Sequence, residues 1–315
     1  MIVHGRRPVT GRTVDVLAGR PAPGRRVAGL FAGLLVLLVA GAVLAAIAPV
    51  GAQRASFREG DDWRHLWAVL DEFKQSPPKV PVVYLLGGSS ARECTTLDGP
   101  WSDQISRFVG RRIRALNLGT SKQTYRQDYD IVGMLPDVPS LVLIGVNLGR
   151  FAGSPPKSAT AAVLPRRSIL GSYTQHRFAP GHVLSDAAKR GILRSWLVWR
   201  YPSFKRNYAY DLGRLDMVVA KCLQLGQHPV LLDLPMNDTI VRPTLDAPRA
   251  KYAKGCRALA AKYHIRYFDF VGQVGFTSRD FVDLWHCAPS GRIKFQARLS
   301  RVIHTLVDQY GLGKG

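Results

Sequence analysis

Four short segments carry residue types that could act together on a carbonyl group. Gly87-Gly88-Ser89 offers a hydroxyl in a tight turn, Asn117-Leu118-Gly119 a glycine amide, Gly145-Val146-Asn147 a carboxamide, and Asp283-Leu284-Trp285-His286 a carboxylate and an imidazole. Acyl transfer needs such a set: a nucleophile, a base within reach, a group that orients the base, and donors for the developing oxyanion. Each segment alone is a weak signal. Gly-Gly-Ser is commonly only a turn, an Asn commonly caps a loop, and a His commonly sits in a core or on a surface. Weight comes from the four together, if the fold brings them to one place.

The elements that would do so are legible as short β-rich runs, each ending in small or polar residues and followed by a stretch compatible with helix. The runs are Val82 to Leu86, Ile113 to Leu118, Leu141 to Val146, Val230 to Leu234 and Ile265 to Phe270. This alternation predicts an α/β fold with a doubly wound, flavodoxin-like parallel five-stranded sheet. In such sheets ligands bind beyond the carboxyl ends of the strands. Three of the four segments fall at those ends, and the fourth lies in a C-terminal loop. Before the first strand, Trp63, Leu66, Trp67 and Leu70 recur at helical spacing, which predicts a packing helix from Asp61 to about Gln75, closed by Ser76-Pro77-Pro78.

With these blocks in hand, the sequence resembles the SGNH (GDSL-like) hydrolase family, whose named blocks are a Ser in a Gly-x-Ser turn, a Gly, an Asn, and a His in Asp-x-x-His. All four occur in the family's order between about Val80 and Leu306. The resemblance implies the SGNH hydrolase fold and a catalytic triad of Ser89, Asp283 and His286. It also implies an oxyanion hole from the backbone amides of Ser89 and Gly119 with the Asn147 side chain. Ser90 is the rival nucleophile, but counting from the strand end puts Ser89 at the family's serine position. Arg92 and Glu93 read as an ordinary pair at a helix start. The first block departs from Gly-Asp-Ser-Leu by having Gly88 where the family commonly has Asp, which weakens the esterase-type label more than the fold. The implied activity is a serine esterase on O-acyl groups of cell-envelope or extracellular polysaccharide. The alternatives are an O-acyltransferase in envelope polymer modification, partnered by a membrane-bound O-acyltransferase, and a catalytically silent carbohydrate-binding assembly protein. No cofactor is expected. The sequence has no His-Glu-x-x-His, no paired Cys-x-x-Cys and no phosphate-binding glycine loop, so metal catalysis has no support.

The rest of the chain bears on location. Val27 to Ile47 is an uncharged run; about 21 residues at ~1.5 Å rise give roughly 30 Å, the thickness of a bilayer core. Six arginines and one acid, Asp15, precede it, so the positive flank stays inside and the bulk of the chain lies outside. The expected layout is a basic cytoplasmic leader over 1–26, a single membrane anchor over 27–48, a linker and amphipathic helix over 49–79, and an extracytoplasmic hydrolase domain over 80–315. A cleaved signal peptide ending near Val50-Gly51-Ala52 is the competing reading. The formal charge of +22 is spread along the chain and accompanied by no nucleic-acid motif, which favours an anionic lipid surface or acidic polymer over nucleic acid. The stretch 149–211 breaks the strand and helix rhythm and reads as an insertion. Within it Trp196, Trp199 and Tyr201 could stack on sugar rings beside Arg200 and Lys205, though a passive surface segment fits as well. Four cysteines permit three fully paired arrangements or four buried thiols; the triad itself would bring Cys94 near Cys287, and Cys222 and Cys256 fall on successive predicted helices.

Overall fold

The computed structural model describes residues 60–153, 164 and 177–313. The expected leader and anchor lie outside these residues. Among the described residues no helix is long and apolar enough to cross a membrane.

Five parallel strands form one sheet: β1 (Val82–Leu86), β2 (Arg114–Asn117), β3 (Leu141–Val146), β4 (His228–Asp233) and β5 (Arg266–Phe268), in the order β2-β1-β3-β4-β5. This is the flavodoxin-like order anticipated from the sequence. β1 and β3 keep the expected bounds, and the ends of the other three shift by one or two residues; β5 is a short edge strand with β4 as its one neighbour in the sheet. β1 and β3 are buried along their whole length, as central strands covered on both faces must be.

Side chains alternate between the faces with the strand period of two. Val82, Tyr84 and Leu86 enter one apolar cluster with residues of α1 (Gly60–Gln75), α4 (Tyr125–Val132), α5 (Asp186–Gln224) and α7 (Asp246–Tyr263). Val83 and Leu85 enter the other with residues of α2 (Ser89–Cys94), α3 (Asp98–Val109) and α8 (Pro289–Gln309). The helices start where local chemistry lets them. Thr124 and Gln127 form a reciprocal capping box on α4, the Ser185 hydroxyl accepts from the Ala188 amide at the head of α5, and Pro289 opens α8 where its missing N–H costs nothing. A one-turn α6 (Asp238–Val241) follows β4.

The stretch read as an insertion ends differently from expectation. From Asp186 onward it is the first part of α5, a 39-residue helix that runs past Asp211 and leads into β4. Pro202 does not end it. A proline in a helix interior leaves the carbonyl four residues earlier without its donor, and here that residue is the exposed Val198, where water can serve. All four cysteines are buried free thiols. Cys94 and Cys287 do share one apolar cluster, and Cys222 and Cys256 the other. Burial pushes all four thiols up, Cys222 to about 12.

Candidate active site

The strand register brings the segments together. Leu85 stands opposite Asn117 and Leu86 opposite Ile144, so β1, β2 and β3 end at one rim. Gly87 turns the chain there at φ +153°, and a Cβ on it would lie 2.7 Å from that of Ala91. Only glycine allows the strand to fold this tightly onto the helix that begins at Ser89. Gly119 is equally constrained, because a Cβ there would come within 2.7 Å of the Arg92 amide nitrogen.

The Asp-x-x-His loop is closed on itself. The Val282 amide donates to the His286 carbonyl at 2.8 Å, and Phe281 and Cys287 form an antiparallel bridge. Asn237, just before α6, pins the loop from outside by donating its amide to the Leu284 carbonyl at 2.9 Å. Nothing in the local sequence around Asn237 marked it for that role.

In this frame Asp283 Oδ2 lies 2.7 Å from His286 Nδ1, and His286 Nε2 lies 2.8 Å from Ser89 Oγ. Asp283 Oδ1 accepts from the amides of Trp285 and His286 at 2.9 and 3.0 Å. Burial alone would raise the Asp283 carboxyl, but the His286 charge and hydrogen bond and the two amides outweigh it and bring the carboxyl down to about 2. An ionised carboxylate only accepts, so Nδ1 carries the imidazole proton and Nε2 is left to accept from the Ser89 hydroxyl. Ser90 is buried beside it and makes no contact with the imidazole among the hydrogen bonds of the described residues. The arrangement can move the Ser89 proton to Nε2 and leave Oγ free to attack a carbonyl carbon.

The expected oxyanion donors divide. Asn147 is buried just past the end of β3, and its Oδ1 accepts the Arg150 amide at 3.0 Å, which leaves Nδ2 as the end of the carboxamide without a partner among the described residues. The Gly119 amide instead donates to Asn117 Oδ1 at 3.0 Å, so it reaches an oxyanion only by sharing that proton. Asn117 gains this hold because it ends β2 buried, with Nδ2 donating to the Ala91 carbonyl at 2.9 Å and to Thr95 Oγ1 at 2.7 Å. It clamps the Gly119 loop to the helix of Ser89.

The two aromatics expected to bind substrate also divide. Trp199 stands 73% exposed, with no ring partner among the described residues. Tyr201 is half-buried against the core, its ring 6.0 Å from Trp196 and 6.2 Å from Phe204, because the helical phase of α5 turns it toward the body of the domain. Trp196 is buried against Trp285, inside the Asp283 to His286 loop, at 5.8 Å. It supports the loop from beneath.

The Arg92 and Glu93 pair is far from ordinary surface chemistry. Glu93 is fully buried, accepting from Arg92 Nε at 2.9 Å, Arg292 Nη2 at 2.8 Å and the Phe178 amide at 3.0 Å. Arg92 also reaches Asp62 on α1 at 2.5 Å. The Phe178 ring so held packs edge-on against His286 at 5.6 Å. Among the described residues no group of three or more His, Cys, Asp or Glu could hold a metal ion.

No family model matches the chain, and no curated protein does. Among solved structures it is similar to a member of the lipolytic G-D-S-L family from Veillonella parvula, at 12% identity over 72% of this chain and 99% of that one, with a TM-score of 0.44. It is similar to TesA at 15% identity over 72% and 99% of the two chains, with a TM-score of 0.42. A third is a catalytic mutant of Axe2, an acetylxylan esterase from Geobacillus stearothermophilus, at 13% identity over 75% and 97%, with a TM-score of 0.44.

Proposed function

We propose that this chain is an SGNH-type esterase that cleaves O-acyl groups through a Ser89 acyl-enzyme. The observation that carries the reading is the unbroken line from Asp283 through His286 to Ser89, with contacts of 2.7 and 2.8 Å and a carboxyl held ionised at its far end. His286 takes the Ser89 proton as Oγ bonds to the acyl carbon, and the oxyanion is met by Asn147 Nδ2 and the Ser89 amide. The imidazolium then protonates the leaving alkoxide, and water repeats the sequence to release the acid.

The substrate class in this reading is an acylated polysaccharide of the cell envelope or exterior. The arginine-rich leader and the uncharged run from Val27 to Ile47 support a catalytic domain held at the outer face of a membrane. Exposed Trp199, next to exposed Arg200, supports a second outcome in which a bound sugar hydroxyl, rather than water, resolves the acyl-enzyme. Labelling with a fluorophosphonate and hydrolysis of p-nitrophenyl acetate test the chemistry. Both are expected for the native chain and neither for Ser89→Ala; activity surviving in that variant refutes the nucleophile. Adding acetylated and free polysaccharide then reads the fate of the acyl group as free acid or as a new ester.

A further inference from the structure

The two loops that border the oxyanion position are joined underneath by a chain of buried polar contacts. On the β3 side, the Arg150 amide holds Asn147 Oδ1 at 3.0 Å. The Arg150 side chain turns back under the rim, with Nη1 donating to the Gly145 carbonyl and Nη2 to Asp128 Oδ2, each at 2.5 Å. On the β2 side, the amide of Thr120, next to Gly119, donates to Gln123 Oε1 at 2.9 Å. Gln123 Nε2 closes the chain by donating to Asp128 Oδ1 at 2.7 Å. Thr120, Gln123, Asp128, Asn147 and Arg150 are all buried.

The guanidinium lies 4.0 Å over the Tyr125 ring, and its Nη1 would be 3.7 Å from a Cβ on Gly87, in the turn that carries Ser89. It therefore meets the ends of β1 and β3 and the head of α4 at once. A buried ion pair of this kind gains little stability over apolar side chains of the same volume, because desolvation consumes most of the attraction. What it supplies is fixed geometry. The planar fork meets Gly145 and Asp128 in set directions, which a lysine ammonium does not reproduce.

We propose that Arg150, Asp128 and Gln123 are positioning residues that aim the Asn147 carboxamide at the oxyanion by anchoring the end of β3 to the Gly119–Thr120 loop; this rests on the acyl-transfer reading above. Without the fork, the backbone at residue 150 shifts and Asn147 is free to present Oδ1, a repelling acceptor, to the oxyanion.

The test is a double-mutant cycle on the full chain with p-nitrophenyl acetate. Asn147→Ala lowers kcat on the order of 100- to 1,000-fold, the usual loss for one oxyanion donor. Arg150→Lys and Asp128→Asn each lower kcat on the order of 10- to 100-fold with KM changed less than about twofold, as misplacement of a transition-state contact does. In the Asn147→Ala background the same substitutions cost less than about threefold, because the contact they position is gone. Equal factors in both backgrounds, or full kcat in a variant that is merely less stable, overturn the proposal. Should either variant fail to fold, Gln123→Met cuts the chain without touching a charge and is expected to show the same non-additivity. Activity in Ser89→Ala refutes the underlying reading. A dead Ser89→Ala with a neutral Asn147→Ala refutes the inference alone.

Discussion

Replacing Asp283 by Asn isolates the role of the carboxylate, because the structure dictates how the new amide must sit. Two backbone amides point at Oδ1, from Trp285 and His286, so the Asn oxygen stays there and its NH2 group faces His286 Nδ1. That NH2 donates, which forces the imidazole to carry its proton on Nε2, where it no longer accepts from Ser89. The expected loss in kcat is about 10⁴-fold, roughly 5.5 kcal/mol of transition-state stabilisation. Stability falls as well. The carboxyl drops from its ordinary 3.8 to about 2, a difference of about 1.8 that corresponds to about 2 kcal/mol. A depressed carboxyl contributes above its unfolded value and loses that contribution as pH falls through its folded one. The urea midpoint of the native chain therefore exceeds that of the variant at pH 7, and the gap closes between about pH 4 and pH 2. Steady-state hydrolysis of p-nitrophenyl acetate and urea titration at several pH values measure both effects. If Asp283→Asn keeps more than about a tenth of the native kcat, another group orients the ring and the reasoning fails.

Ser90→Ala is expected to keep kcat within about threefold of native while Ser89→Ala loses several orders of magnitude; equal losses contradict the geometry. Glu93→Gln takes the carboxylate from buried Arg292 and leaves buried Arg92 with Asp62, and is expected to cost about 3–5 kcal/mol in urea unfolding, with an unchanged midpoint as the contrary result. Asp211, buried on α5 with Oδ2 unpartnered among the described residues, is pushed by burial, against Arg150 and the Gly153 amide, up to about 7. A raised carboxyl contributes stability that is complete below its unfolded value and lost as pH rises through about 7. Asp211→Asn is therefore expected to raise the melting temperature at pH 8 and leave it unchanged at pH 4, and an equal shift at both would refute the assignment. Trp199→Ala, at an exposed position, is expected to reduce acyl transfer to a polysaccharide more than hydrolysis of a small aryl ester; equal reduction removes Trp199 from acceptor binding.

The sequence by itself determined the sheet and the rim. Runs such as Val82–Leu86 and Leu141–Val146 are strands on local grounds, since each is a short apolar stretch bounded by glycine or polar turns, and their alternation with helices leaves few arrangements open. The small and polar residues after each run then fall on the carboxyl edge without further information. Partners far apart in the chain were settled only by the fold. Ser89 and His286 are 197 positions apart, and that the Ser89 hydroxyl, rather than its buried neighbour's, meets the imidazole depends on how α2 leaves β1. The ion pairs of Glu93 with Arg292 and of Asp128 with Arg150 were illegible for the same reason. A charged residue in a sequence reads as a solvated one, and only packing removes its water and supplies a counter-charge. Tyr201 and Trp199 show the same division on a single helix. Their aromatic character was plain from the residues, but the phase of α5 decided which ring leans on the core and which stands in solvent.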